Sequence, residues 1–266
     1  MMARNIQVLN SLYKLLGCRS IWQPSSPCQS YSTQVTFDTI LGEENKLRTQ
    51  KALQSVNPAS YRGDSQDSWG GPSAAILVPL CTVNGQPSLL FTLRSSRLKK
   101  HRGQVSFPGG YVEDTDPDIN STALREAQEE LGLDPARCEI WGHLRALPTS
   151  GSRHKVVQPV VARITGGDLS LNELKVNHDE VEEAFTVPLE HLCNHANIGV
   201  TRFRGDDKPY TIPVYTGAAH RIWGFTAVVT HILLSVLAPN LYTFKVLHKK
   251  TLSHRQPKHS LHGRQT

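Results

Sequence analysis

The chain has 266 residues, 38% apolar and 20% charged, with a formal net charge of +6. That allows one domain of ordinary size with extensions, and no apolar run reaches the roughly 18–20 residues of a membrane span. The basicity sits in the ends: residues 1–37 carry +3 and residues 245–266 carry +6, which leaves −3 for 38–244 and argues against a folded nucleic-acid-binding face.

The first 37 residues hold no acid. Arg4, Gln7, Ser11 and Lys14 form one helical stripe, with Ile6, Leu9, Tyr13 and Leu16 on another. A basic, amphipathic, acid-poor leader with serines is the pattern of an organelle transit peptide, and Lys14 interrupts the apolar run that a secretory signal needs. The expectation is mitochondrial import. Residues 37–56 show helical periodicity through Leu41, Leu47 and Leu53, and the polar stretch 60–73 reads as a linker. AAILVPLC (74–81) reads as a buried strand and SLLFTLR (88–94) as its hairpin partner across Asn84-Gly85. A basic loop, 96–103, leads to QVSF and then Pro108-Gly109-Gly110. Asn120 or Ser121 is the expected cap of a helix running to about Leu131, with Gly132 ending it.

Downstream, 138–147 and 155–164 read as strands, 188–195 as a helix, 210–215 as a strand, and about 220–237 as a helix. TAVVTHILLSVLA within that last helix reads as buried, with Trp223 and Phe225 near its start expected in the core. NHDEVEEAF (177–185) is an acidic segment of undetermined structure. The tail from Lys245 is polar and basic, and its four histidines have no regular metal-ligand spacing, so it is expected to be disordered. The five cysteines are odd in number and widely spaced with no C-x-x-C, which argues against a disulfide framework and a cysteine zinc site. Strands mixed with helices, several of them hairpin-linked, give the fold class α+β with a mixed or antiparallel sheet.

REAQEELGL (125–133) raises a chemical question, because Glu126, Glu129 and Glu130 share a helical arc of about 100°. Like charges at i, i+3 and i+4 weaken a helix by a few tenths of a kcal/mol. Arg125 can pair with Glu129 at i+4, while Leu124, Ala127 and Leu131 fall on a packing face. A solvated acidic face is the simplest reading of the spacing alone. The glycines of FPGG and the acids Glu113, Asp114, Asp116 and Asp118 just upstream shift it toward a cradle for a hard divalent cation and a diphosphate.

This stretch resembles the Nudix box, G-x5-E-x7-R-E-U-x-E-E-x-G-U with U apolar. The chain has Gly110, five residues, Asp116, eight residues, and then Arg125 through Leu133. Asp116 stands where the box has glutamate, and one extra residue follows it. That departure, together with Leu89-Leu90-Phe91-Thr92-Leu93-Arg94-Ser95, Lys99, Gly103 and Phe107-Pro108-Gly109-Gly110, is similar to the coenzyme A-hydrolysing branch of the family. Lys99 replaces an arginine of that pattern, and Tyr111 stands where the branch commonly has lysine. The likeness runs over roughly 73–240, through PTSG (148–151), PVV (159–161), 179–192 and 222–227.

The resemblance implies a Nudix-type α/β/α sandwich with a mixed sheet, on a domain at 73–240. A leader at 1–37, a helix and linker at 38–72 and a tail at 241–266 would flank it. It implies Mg²⁺ or Mn²⁺ held by Glu126, Glu129 and Glu130 with the Gly109 carbonyl, and Arg125 orienting a glutamate. Glu180, with Glu183 behind it, is the candidate general base, so the catalytic set would be Glu129, Glu130, Arg125 and Glu180. Arg94, Lys99, Lys100 and Arg102 would meet the phosphates of coenzyme A or an acyl-CoA. Hydrolysis of ADP-ribose or another nucleoside diphosphate derivative is the alternative, and a catalytically weak nucleotide-binding protein a further one. No nucleic-acid partner is expected, and a monomer suffices.

Overall fold

The computed structural model describes residues 34–55, 72–148, 156–203 and 210–246. Residues 1–33 of the expected leader, residues 60–71 of the expected linker, most of PTSG and the histidines of the tail lie outside the described residues. Four helices of one turn or more are described: α1 (Glu43–Ser55), α2 (Ile119–Leu131), α3 (Leu189–Cys193) and α4 (Gly224–Leu237). The strands are β1 (Ala74–Val83), β2 (Gln86–Arg94), β3 (Val105–Ser106), β4 (Gly109–Tyr111), β5 (Cys138–His143), β6 (Leu147–Pro148), β7 (Val156–Ile164), β8 (Val181–Pro188), β9 (Ile198–Phe203) and β10 (Tyr210–Tyr215).

Eight strands form one mixed sheet, and β9 pairs with β10 in a separate antiparallel hairpin. Within the large sheet β1 and β7 are parallel, and the remaining pairs are antiparallel. The alternation of a pleated strand sorts β1 onto two faces. Ala75, Leu77 and Cys81 join Ala123, Ala127 and Leu131 of α2 in one apolar cluster. Val78 and Leu80 join Val228, Val229, Leu233 and Leu234 of α4, with Leu53 of α1, in the other. The sheet is therefore covered by α2 on one side and by α4 and α1 on the other, which is an α+β sandwich with a mixed sheet.

One detail of the sheet makes room for a site. β1 pairs with β4 through Ala74, Ala75 and Ile76, and with β2 only from Leu80 onward. Between these stretches Leu77 donates to the Pro108 carbonyl at 2.9 Å. The segment after β3 is thus wedged beside β1, and Gly109-Gly110 arrive under α2.

Several expectations are corrected. The helix expected over 37–56 begins at Glu43, and Leu47 is 58% exposed. Its buried face is Asn45, Thr49 and Leu53, because Asn45 Nδ2 donates to the carbonyls of Ile40 (2.7 Å) and Leu237 (3.1 Å). The strand expected over 138–147 is two pieces, β5 and β6. The helix expected over 188–195 stops at Cys193, and a 3-10 turn follows at His195–Asn197. α4 starts at Gly224, and Trp223 before it is 40% exposed while Phe225 packs partly against the core. The acidic segment 177–185 contains the start of β8, which pairs along β2. Val35 and Tyr242 also belong to the α4-side core.

Candidate metal and diphosphate site

The site is built on α2. Its N-cap is Asp118, not Asn120 or Ser121: the Asp118 carboxylate accepts from the Ser121 amide and hydroxyl, both at 2.7 Å. Gly132 ends the helix in the left-handed region (φ 63°), where glycine has no Cβ to clash. Burial of Ala123, Ala127 and Leu131 against the sheet fixes the rotation of the helix. That rotation gives the three glutamates different surroundings. The Glu129 side chain is 56% exposed, Glu126 14% and Glu130 3%.

Arg125 is the hub of the group. Its Nε and Nη2 donate to the two oxygens of Asp116 at 2.9 and 3.0 Å, a bidentate fork. Nη1 donates to Glu126 (3.2 Å) and Glu129 (3.1 Å), and Nη2 also reaches the Tyr111 carbonyl at 3.0 Å. Asp116 is tied down further by the Glu113 amide and the Thr122 hydroxyl, both at 2.9 Å. The Arg125 guanidinium, then these hydrogen bonds, hold the Asp116 carboxyl well below the usual carboxylate range. The aspartate that breaks the box pattern therefore anchors the arginine.

Glu130 is the opposite case. Burial pushes its carboxyl up to about 8. Arg94 opposes this from 4.0 Å, while Glu126 and Glu180 add to it and the Gly109 amide weakly offsets it. Oε2 of Glu130 has no hydrogen-bond partner. Burial also raises Glu126, partly offset by Arg125. A buried, unpaired carboxylate oxygen is costly, so this group is poised to accept a proton or a cation.

The glycine pair fits closely around these carboxylates. A Cβ at Gly110 would fall on the Glu126 carboxylate, and one at Gly109 would run into the backbone of Ala75 and Ile76. Among the described residues no three carboxylate, histidine or cysteine groups stand on a common point. Arg125 Nη1 draws Glu126 and Glu129 toward itself. The donor set nevertheless fits a hard cation: carboxylate oxygens, one of them orphaned and buried, beside a backbone that no side chain screens.

Glu180 is brought into the group by three backbone links. Asn177 donates from its amide to the Glu130 carbonyl (2.9 Å), Glu180 to the Asn177 carbonyl (3.0 Å), and Ser95 to the Glu180 carbonyl (2.9 Å). Glu183 sits on the sheet face away from α2 and pairs with His220 at 2.8 Å. Arg94 faces Glu130, whereas Lys99, Lys100 and Arg102 are exposed on the loop beyond it. Two further contacts of this region had no signal in the sequence. Arg97 pairs with Asp179 at 3.1 Å, and Glu182 accepts from the Ser96 amide and hydroxyl at 3.3 and 3.2 Å. Both join segments more than 80 residues apart.

A family profile for the NUDIX domain matches residues 71–205. The human "Mitochondrial coenzyme A diphosphatase NUDT8" is 49% identical over 172 residues, covering 64% of this chain and 71% of the relative. The Mus musculus protein of that name is 47% identical over 172 residues, covering 64% and 80%. "Nudix hydrolase 3" of Caenorhabditis elegans is 34% identical over 225 residues, covering 79% of this chain and 92% of the relative. With a matching profile over half its length, and with the carboxylate helix packed over the Gly109-Gly110 strand, the chain belongs to the Nudix family of hydrolases.

Proposed function

We propose that the chain hydrolyses the diphosphate bond of coenzyme A and its acyl derivatives, releasing 3′,5′-ADP and the (acyl-)4′-phosphopantetheine. The observation that carries the chemistry is Glu130, a buried carboxylate with an unpartnered oxygen beside Glu126 and Glu180. The substrate class is supported by the two relatives named coenzyme A diphosphatases and by the cationic Arg94, Lys99, Lys100 and Arg102 preceding FPGG.

Glu126, Glu129 and Glu130, with the Gly109 backbone, would hold Mg²⁺ or Mn²⁺, which supplies charge neutralisation and a more acidic bound water. Arg125, clamped by Asp116, orients Glu126 and Glu129 as an outer partner should. Glu180, tied to the Glu130 segment through Asn177, would take a proton from the attacking water. Arg94 binds the diphosphate, and the exposed basic loop meets the 3′-phosphate. The two relatives are named mitochondrial, in line with import directed by the acid-poor leader. Val35 is core and its carbonyl accepts from Asn240 at 2.7 Å, which favours a leader that ends before it. The catalytic domain is assigned to 73–240, with residues 38–72 and 241–266 flanking it.

The test is release of 3′,5′-ADP from coenzyme A by the full chain with Mg²⁺ or Mn²⁺. Glu129→Gln and Glu130→Gln are expected to lose about 100-fold or more in rate. Cleavage of ADP-ribose with none of coenzyme A would refute the substrate, and full activity in both variants would refute the mechanism.

A further inference from the structure

Arg94 has a relation to Glu130 that phosphate binding alone does not account for. Its backbone is fixed on both sides, the amide donating to the Gln104 carbonyl (3.0 Å) and the carbonyl accepting from Gly103 (2.9 Å). Its side chain is 27% exposed and ends 4.0 Å from the Glu130 carboxylate, close enough for attraction and too far for a hydrogen bond. Among the described residues Glu130 is the ion-pair partner of Arg94. The other arginine of the group, Arg125, is committed to Asp116, Glu126 and Glu129. Among the described residues, Arg94 is the cation that acts on Glu130, and Glu126 and Glu180 are carboxylates that act against it.

We propose that Arg94 competes with a divalent cation for Glu130 and turns to the substrate's diphosphate when the cation binds, so that metal and diphosphate promote each other's binding through this side chain. A cation on Glu130 would stand within a few ångströms of the guanidinium. The two like charges repel across a partly dry gap, where screening is weak. An anionic diphosphate relieves that repulsion by lying between them. Arg94 then keeps the buried carboxylate tolerable without metal and favours metal only when substrate comes with it. Coupling of this kind is reciprocal and commonly about 5–150-fold. The proposal rests on the metal-diphosphatase reading, but not on which diphosphate is the substrate.

The experiment measures Mn²⁺ binding to the full chain by the electron paramagnetic resonance signal of free Mn²⁺. It compares the parent with Arg94→Met and Arg94→Lys, first without nucleotide. Arg94→Met is expected to bind Mn²⁺ about 10-fold tighter than the parent, and Arg94→Lys, which keeps the charge, within about 3-fold of it. With excess ADP, and with the Mn·ADP formed in solution subtracted, the parent is expected to gain about 10-fold and Arg94→Met to gain little. Mn²⁺ affinity that is unchanged or weaker in Arg94→Met overturns the proposal. Arg94→Gln repeats the test if the Met variant melts early. A parent chain with no Mn²⁺ site sensitive to Glu130→Gln sinks the metal reading itself. A parent with such a site, and an Arg94→Met chain that binds no tighter, sinks only the role of Arg94.

Discussion

Two adjacent glycines should fail in different ways when each is given a single methyl group. At Gly109 φ is +153°, and a Cβ would lie 2.6 Å from Ile76 Cα and 2.9 Å from its Cγ2. Those atoms belong to β1, the partner strand, and cannot retreat without parting β1 from β4. Backbone strain of about 1–3 kcal/mol and overpacking of about 1–3 kcal/mol give roughly 2–6 kcal/mol for Gly109→Ala. At about 2–4 °C per kcal/mol for a domain of this size, that is a fall in Tm of roughly 4–24 °C. At Gly110 the new Cβ would lie 2.6 Å from Glu126 Oε2, the end of a side chain. Ordinary contact begins at 3.4 Å, so the carboxylate must move by roughly 1 Å, and a misplacement of about 1 Å can cost about 100-fold in rate. The side chain rotates at little expense, so Gly110→Ala should melt within about 2 °C of the parent, a change under 1 kcal/mol. Thermal melts read the first effect, and kcat/KM for coenzyme A with Mn²⁺ affinity reads the second. A Gly110→Ala protein that melts as low as Gly109→Ala while keeping its Mn²⁺ affinity would refute the reasoning, as would one with full activity.

Asp116→Asn removes the charge that holds Arg125, and kcat/KM is expected to fall about 10–100-fold; unchanged kinetics would mean that Arg125 is held well enough by Tyr111, Glu126 and Glu129. Arg48 Nη2 donates to the last-turn carbonyls of α4, Val236 at 2.9 Å and Leu237 at 2.7 Å, so Arg48→Ala should cost about 1.5–3 kcal/mol in urea unfolding; a loss under 0.5 kcal/mol would show α1 to be held by its apolar contacts and the Asn45 hydrogen bonds. His231 hydrogen-bonds the Tyr242 hydroxyl at 2.7 Å, and burial lowers its pKa from 6.5 to about 4. The unfolded chain takes up this proton near pH 6.5 and the folded chain only near 4, so the stability tied to neutral His231 is complete above pH 6.5 and drains away between 6.5 and 4. The total is on the order of 3 kcal/mol. His231→Gln should flatten the melting curve against pH over that window, and an equally steep loss in the variant would assign the acid sensitivity elsewhere.

Much of the fold was legible because local rules and tertiary packing agreed. Asn84-Gly85 between two apolar runs gave the β1–β2 hairpin, and the apolar stretch from Thr226 gave α4. β8 was illegible because Glu182 and Glu183 mask its alternation, and the register shift between Leu93 and Arg94 changes its parity at its first residues. α1 misled for a different reason. Periodicity pointed to Leu47, but the polar Asn45 and Thr49 are the buried residues, Asn45 because it satisfies the carbonyls of Ile40 and Leu237. Asp118 was readable as a cap, since it directly precedes the first apolar residue of the helix, yet two later polar residues competed for the role.

The site divides along the same line. The sequence by itself determined which groups share one arc: helical geometry sets Glu126, Glu129 and Glu130 together, with Arg125 one turn from Glu129. It also determined that two glycines precede them. It could not rank the three carboxylates, because a helix places side chains in angle and not in dielectric. That ranking came from what packs over the arc. Arg94 at the end of β2, the Gly109 backbone and the segment bearing Glu180 close over Glu130, while Glu129 stays half-exposed beside Arg125. A carboxylate without water loses its hydration and must find a cation or a proton instead, and only the assembled sheet decides which of the three is in that position.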